Sequence, residues 1–323
     1  MKKKKEEKTF KTIEELVDLL KHRNVIIEDD KCVGRYLLGH SYYAVVNGYK
    51  EPFLDQEKTR ELGDDFYKDG TRFLFFSLMF SVDSMLRDYT RSYLLQAEET
   101  MKNATIYAFC YYHREAEEYL DPASYCSKGE YYQKRSYTGS LIKLLSTLQR
   151  NRNNSQKKEY IEHYLKEHGY VPLWVLENAL TFGNMSAFFD LQTTKVQNAA
   201  CRNVEKISQL ESYSLGIKEM RTAYRVLSSF RNICSHEERL YCARVGRNRY
   251  SFGDMFNLLE KIIPETDMDD FSQTILMATY PLLTQPEIRH MVFEAMDIDE
   301  ALVKKRAKKS NLPGIFDDEA EQS

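Results

Sequence analysis

Arg231, Asn232 and His236 stand close together in the run RNICSH, and their types suit proton transfer at a phosphodiester. Histidine moves protons in either direction near neutral pH. Arginine grips phosphate oxygens in pairs and stabilises charge that develops there. RNA cleavage needs no metal when three jobs are covered. A base takes the 2′-hydroxyl proton, an acid protonates the leaving 5′-oxygen, and a cation stabilises the crowded phosphate. One copy of the run offers one histidine and one arginine, which leaves one proton transfer unfilled. Two copies facing each other supply two of each, so a homodimer is expected. The spacing alone is a weak signal, because Arg35 to His40 in RYLLGH repeats it.

The element that must position these residues is a helix within 214–241. On a wheel advancing about 100° per residue from Met220, the residues Ala223, Tyr224, Leu227 and Cys234 fall within roughly 60° of one line. Arg221, Arg225, Ser228, Asn232, His236 and Arg239 form a second stripe between about 80° and 160°, without a carboxylate. Asn232 and His236 are neighbours four apart on that surface. Arg231 falls among the apolar positions, where a cation costs free energy unless it meets a cleft, a partner or a phosphate. The pattern predicts a groove for an anionic ligand. Arg231, Asn232 and His236 are its candidate catalytic residues, and Arg221, Arg225 and Arg239 its candidate RNA-backbone contacts. The competing reading is a solvated cationic face with an ordinary surface histidine.

From Ser228, SSFRNICSHEERLY resembles the signature helix of HEPN domains. With Asn after the Arg, a small residue before the His and Arg-Leu-Tyr shortly after, it is similar to the Abi family, the AbiD/AbiF type of abortive-infection protein. LLGHSYYAVVNGY (37–49) resembles that family's N-terminal block, and PLWVLENALTFGNMSAFF (172–189) its central Pro-x-Trp, Glu, Phe-Gly block. The resemblance implies a HEPN ribonuclease of phage defence, a toxin whose site is assembled across a pair of domains. It also keeps two alternatives open. One is a non-cleaving protein that binds, or is held by, a small RNA. The other is a HEPN toxin controlled by a modifying antitoxin.

The whole chain sets bounds on these readings. Its 323 residues can bury a substantial core. A net charge of −3 gives no global attraction to nucleic acid, so an RNA-binding surface must be a local patch. Six cysteines form no C-x2-C pair, no disulfide framework and no zinc set, consistent with reduced thiols in the cytoplasm. MKKKKEEK lacks a following apolar segment, and no apolar run nears about 18 residues, so neither a signal peptide nor a membrane partner is expected. No cofactor or metal is called for.

No β-alternation or internal repeat stands out, and the expected fold is all-α, a multi-helix bundle with a HEPN-like core. The expected division is a charged lead (1–10), an N-terminal helical region (11–136), a HEPN-like region (137–309) and an acidic tail (310–323). Thr12 and Glu15 form a capping box that opens a first helix. A second helix is expected from Asp30 to about Asn47, stopped by Gly48. Long aromatic segments follow over 71–96 and 101–120. Tyr131, Tyr132, Lys134, Arg135 and Tyr137 lie in an irregular stretch, where such residues can stack bases or anchor the loop. Pro172 opens a helix that Gly183 should end. Glu177 in that helix is expected to make a structural hydrogen bond.

Overall fold

The computed structural model describes residues 9–154, 158–209 and 214–312. The lead through residue 8 and the acidic tail from 313 lie outside them. Among the described residues every regular element is a helix, and β-pairing is confined to three isolated bridges. The all-α expectation is met. None of the described helices is long and apolar enough to cross a membrane.

The chain divides into two compact units, residues 1–85 with 278–290, and residues 86–277 with 291–323. In the first unit, α1 (Ile13–His22) opens on the expected capping box. The Thr12 backbone N–H donates to Glu15 Oε2 at 2.7 Å, and the Glu15 N–H donates back to Thr12 Oγ1 at 3.3 Å. Within the next two turns, Val17 and Leu20 are buried. α2 (Asp30–Gly39) stops earlier than expected. His40 is extended, and a separate π-helical turn covers Tyr43–Asn47. Ser41 Oγ accepts from the Ala44 N–H at 3.2 Å and so caps the new turn, which makes the break local to His40 and Ser41. The His40 ring packs 4.9 Å from Tyr36 and 5.1 Å from Phe80. The repeated Arg-to-His spacing at Arg35 thus ends in an exposed histidine whose ring rests against two aromatic side chains. α3 (Gln56–Leu62) follows.

The two aromatic segments over 71–120 fuse into one 40-residue helix, α4 (Phe73–Tyr112). The second unit holds its C-terminal part and α5 (Tyr137–Arg152), α6 (Glu159–His168), α7 (Leu173–Leu176), α8 (Phe182–Asp190), α9 (Thr194–Ser208), α10 (Ile217–Ser235) and α11 (Phe252–Leu259). α12 (Glu265–Thr279), α13 (Pro286–Met296) and α14 (Glu300–Ala307) complete the chain. α13 and α14 are separate helices, with Asp297 at φ 57° between them. Gly183 does not end a helix. The break falls at Leu180, because Thr181 caps α8 reciprocally with Asn184, at 3.1 Å in both directions. Gly253 lies in α11, and a Cβ there would stand 1.9 Å from the Asp297 carbonyl oxygen.

The core of this unit is aromatic around α10. Tyr224 and Phe230 are fully buried, with Phe182 and Phe189 of α8 against the Tyr224 ring. Burial of each such ring stabilises by roughly 1.5–3 kcal/mol. The Tyr224 hydroxyl has not been left without partners. It donates to the Met101 carbonyl at 2.8 Å and lies 2.7 Å from Thr105 Oγ1, pinning α10 to α4.

Candidate functional site

α10 carries the residues singled out in the sequence, and its packing decides which of them face outward. Met220, Ala223, Tyr224, Leu227 and Cys234 are buried as the wheel requires, joined by Val226 and Phe230. Asn232 and His236 are exposed at the C-terminal end. Neither side chain hydrogen-bonds to another described residue, so both polar ends are open to a ligand.

The turn that presents His236 is built tightly. His236 is the C-cap of α10, and its N–H donates to the Asn232 carbonyl at 2.9 Å. Glu237 then takes the left-handed conformation, with φ 56°. The Glu238 N–H reaches back to the Ile233 carbonyl at 3.2 Å, which completes a Schellman termination. From α4, Arg87 Nη1 donates to the Glu238 carbonyl at 3.4 Å. Buried Leu240 and Tyr241 fix the chain just beyond. Glycine is the usual residue at such a left-handed position, and a side chain there costs of order 1 kcal/mol. The chain therefore spends stability on an ordered turn beside the histidine. Because α10 ends at Ser235, Arg239 lies outside the helix and is not part of its polar stripe.

Arg231 has found a partner. Its Nε lies 3.4 Å from Glu98 Oε2 of α4, with the two side chains 23% and 14% exposed. The charges are near each other, but Nε makes no aligned hydrogen bond. Glu98 thus stabilises the half-buried guanidinium by Coulomb attraction and leaves donors unused. Five residues along a helix turn Arg231 roughly 140° from His236. A single copy of α10 consequently does not aim both groups at one point.

Arg221 and Arg225 are held within the chain. Arg221 Nε donates to Asp190 Oδ1 at 2.7 Å, and Arg225 Nη2 lies 3.4 Å from Asp190 Oδ2. Their guanidinium carbons sit 4.1 and 5.2 Å from the Tyr132 ring centre. The Tyr132 hydroxyl donates to Asp190 Oδ2 at 3.0 Å and accepts from Arg225. Burial next to the Asp190 carboxylate pushes the Tyr132 phenol upward. A stripe free of carboxylates in sequence therefore has one brought to it by α8. Arg225 remains about half exposed, while Arg221 is largely covered. In the same stretch, Tyr131 is buried and the Tyr137 hydroxyl donates to the Cys126 carbonyl at 2.6 Å, so these tyrosines anchor the loop.

Glu177 does not make the structural hydrogen bond expected of it. Its Oε2 is buried without a partner. Burial pushes the carboxyl above its usual range, with Lys102 opposing and Glu99 adding to the rise. Glu98, Arg87 and Asp190 are site neighbours that the sequence reading missed, and Tyr132 was foreseen only as a residue that stacks bases or anchors its loop. All reach α10 or its end from distant parts of the chain, and no spacing rule connects them. The left-handed conformation of Glu237 is not encoded by its residue type.

A family model described as Abi-like protein matches residues 35–242. Neither the curated proteins nor the solved structures contain a match to this chain.

Proposed function

We propose, since the chain belongs to the Abi-like protein family and so has a role in abortive infection and phage defence, that it acts as a metal-independent HEPN-type endoribonuclease. The observation that carries this reading is the open Asn232–His236 pair, which sits on an ordered helix end. His236 is the general acid or base, and Asn232 orients the imidazole or the phosphate. Arg231 stabilises charge on the phosphate oxygens. The 2′-hydroxyl gives up its proton and its oxygen attacks phosphorus. The bond from phosphorus to the 5′-oxygen then breaks, and that oxygen takes a proton. The products are a 2′,3′-cyclic phosphate and a free 5′-hydroxyl. A second copy of the chain, facing the first, supplies the second histidine and brings an arginine to the far side of the phosphate. The AbiD/AbiF-type signature run supports this assignment.

Cleavage of total RNA and tRNA in EDTA by wild type, Arg231→Ala and His236→Ala tests the reading. Wild-type cutting should be lost by roughly a hundredfold or more in each variant. Because His236 is exposed, His236→Ala should leave the thermal midpoint unchanged. If the His236→Ala protein cut as fast as wild type, the assignment would be wrong. Co-purifying RNA with no cutting by any of the three would instead identify a non-cleaving RNA-binding protein.

A further inference from the structure

The last turns of α4 carry an exposed row on the side away from α10. Asn103, Tyr107 and Tyr111 follow one another at intervals of four, and all three are exposed. Just beyond the helix end, the Arg114 guanidinium carbon sits 5.0 Å from the Tyr111 ring centre. Glu98, Met101 and Thr105, which meet α10, lie on the opposite face of α4. Tyr107 is also about 14 Å of helix beyond Glu98. The row is therefore separate from the Arg231 and His236 site.

Two contacts set α9 beside it. Asn203 Nδ2 donates to the Ala104 carbonyl at 3.1 Å, and Lys195 Nζ sits 4.1 Å from the Tyr112 ring centre. They are eight residues apart on each helix and in opposite order, so α9 runs antiparallel to α4 over about 12 Å. Lys195, Arg202 and Lys206, all exposed, fall within about 40° of one line on α9. A line of cations thus runs beside the line of tyrosines. Between the helices opens a cavity of about 560 Å³, lined by Ile106, Tyr107, Trp174, Asn203, Lys206 and Ile207 among others. Tyr107, Tyr111 and Trp174 are each more than half exposed. Of the acids nearby, Glu177 has its Oε2 buried and out of a ligand's reach, and Glu205 Oε1 accepts from the Leu215 N–H at 2.5 Å. Glu99 and Glu115 are exposed at the two ends of the row.

We infer that this groove holds a single-stranded stretch of RNA, with bases stacked on Tyr107, Tyr111 and Trp174 and phosphates along Lys195, Arg202 and Lys206. Aromatic rings in a row beside a row of cations are what a single strand requires, since each nucleotide offers a flat face and a negative charge. The 12 Å row spans about three to four stacked nucleotides at the roughly 3.4 Å spacing of one strand. Ring faces and phosphates are common to all four nucleotides, so no base preference is expected. A duplex keeps its base faces covered and would meet the cations alone. A protein partner fits less well, because interface cores are depleted of charge, whereas here cations accompany the aromatic row along its length. The inference deepens the ribonuclease reading and rests on it for the choice of RNA over DNA.

The chain has a single tryptophan, Trp174, so its intrinsic fluorescence reports on this groove. The His236→Ala protein in EDTA is titrated with short oligouridylate, oligoadenylate and an RNA duplex of the same length. Saturable quenching by both single strands is expected, with affinities within about tenfold of each other, and the duplex should bind at least about tenfold more weakly. Tyr107→Ser, at an exposed position, should weaken binding of both strands by roughly five- to a hundredfold. Lys206→Ala, also exposed, should lower the slope of log affinity against log salt by about 0.7. Unchanged affinity in Tyr107→Ser, duplex binding as tight as single-strand binding, or no saturable quenching would overturn the inference. So would a Trp174 response to protein concentration alone, which would give the groove to a second copy of the chain. Cutting of RNA by wild type with no Trp174 response sinks the groove and leaves the ribonuclease reading standing, and a Trp174 response without cutting does the reverse.

Discussion

Glu98→Gln tests whether the acid of α4 holds Arg231 ready or merely fills space beside it. At 3.4 Å the two charges attract by about 5 kcal/mol with an effective dielectric of ~20. Much of that is offset by desolvation and by the missing alignment at Nε, and Arg231 is about a quarter exposed. A coupling energy of about 1–2 kcal/mol remains. In a double-mutant cycle of Glu98→Gln and Arg231→Met, each single change should destabilise. The double variant should lose about 1–2 kcal/mol less than their sum. A thermal midpoint moves roughly 2–4 °C per kcal/mol in a domain of this size, so urea and thermal unfolding both resolve the term. In the EDTA cleavage assay, Glu98→Gln keeps the cation and should retain cutting, whereas Arg231→Met should lose roughly a hundred- to a thousandfold. Additivity within about 0.5 kcal/mol would refute the ion pair. Glu98→Gln as inactive as Arg231→Met would refute the division of roles.

Three further outcomes are expected. Asp190→Asn leaves Arg221 without its carboxylate and should cost about 3 kcal/mol in urea unfolding. It should also steepen the salt dependence of single-stranded RNA binding by about 0.7 per arginine released, measured by filter binding across salt concentrations. Glu237→Gly relieves the left-handed position beside His236 and should stabilise the fold by roughly 1 kcal/mol, and a lower thermal midpoint would show that the side chain, not the backbone, holds the turn. For Glu177, burial raises the folded-state pKa above the unfolded 4.5, so the folded form binds its proton more tightly. That contribution is fully present below about pH 4.5 and is lost as pH rises through the folded value. Thermal midpoints of Glu177→Gln should therefore gain on wild type between pH 4 and pH 7, and a constant gap would contradict the burial of the carboxyl.

Local signals were legible in the residues themselves. The apolar stripe of α10, the exposed Asn232 and His236 four apart, the Thr12–Glu15 capping box and the all-α class all follow from interactions within about four residues, which residue type and spacing encode directly. Helix ends were less legible. α2 stops at His40 and the α7 turn at Leu180, because Ser41 and Thr181 cap new turns, while the conspicuous Gly183 does not terminate a helix. α10 ends at Ser235 through a left-handed Glu237, a conformation that side-chain type disfavours and that the surrounding contacts impose. The tertiary structure alone decided the electrostatics. Packing of α4 and α8 against α10 brought Glu98 to Arg231 and Asp190 to Arg221 and Arg225. It made two of the foreseen RNA contacts internal ion pairs and left His236 open. It also gathered Tyr107, Trp174, Glu177 and Lys206 from three elements around one cavity. Charge pairing depends on distance in space, and a helical wheel shows only one surface of one helix.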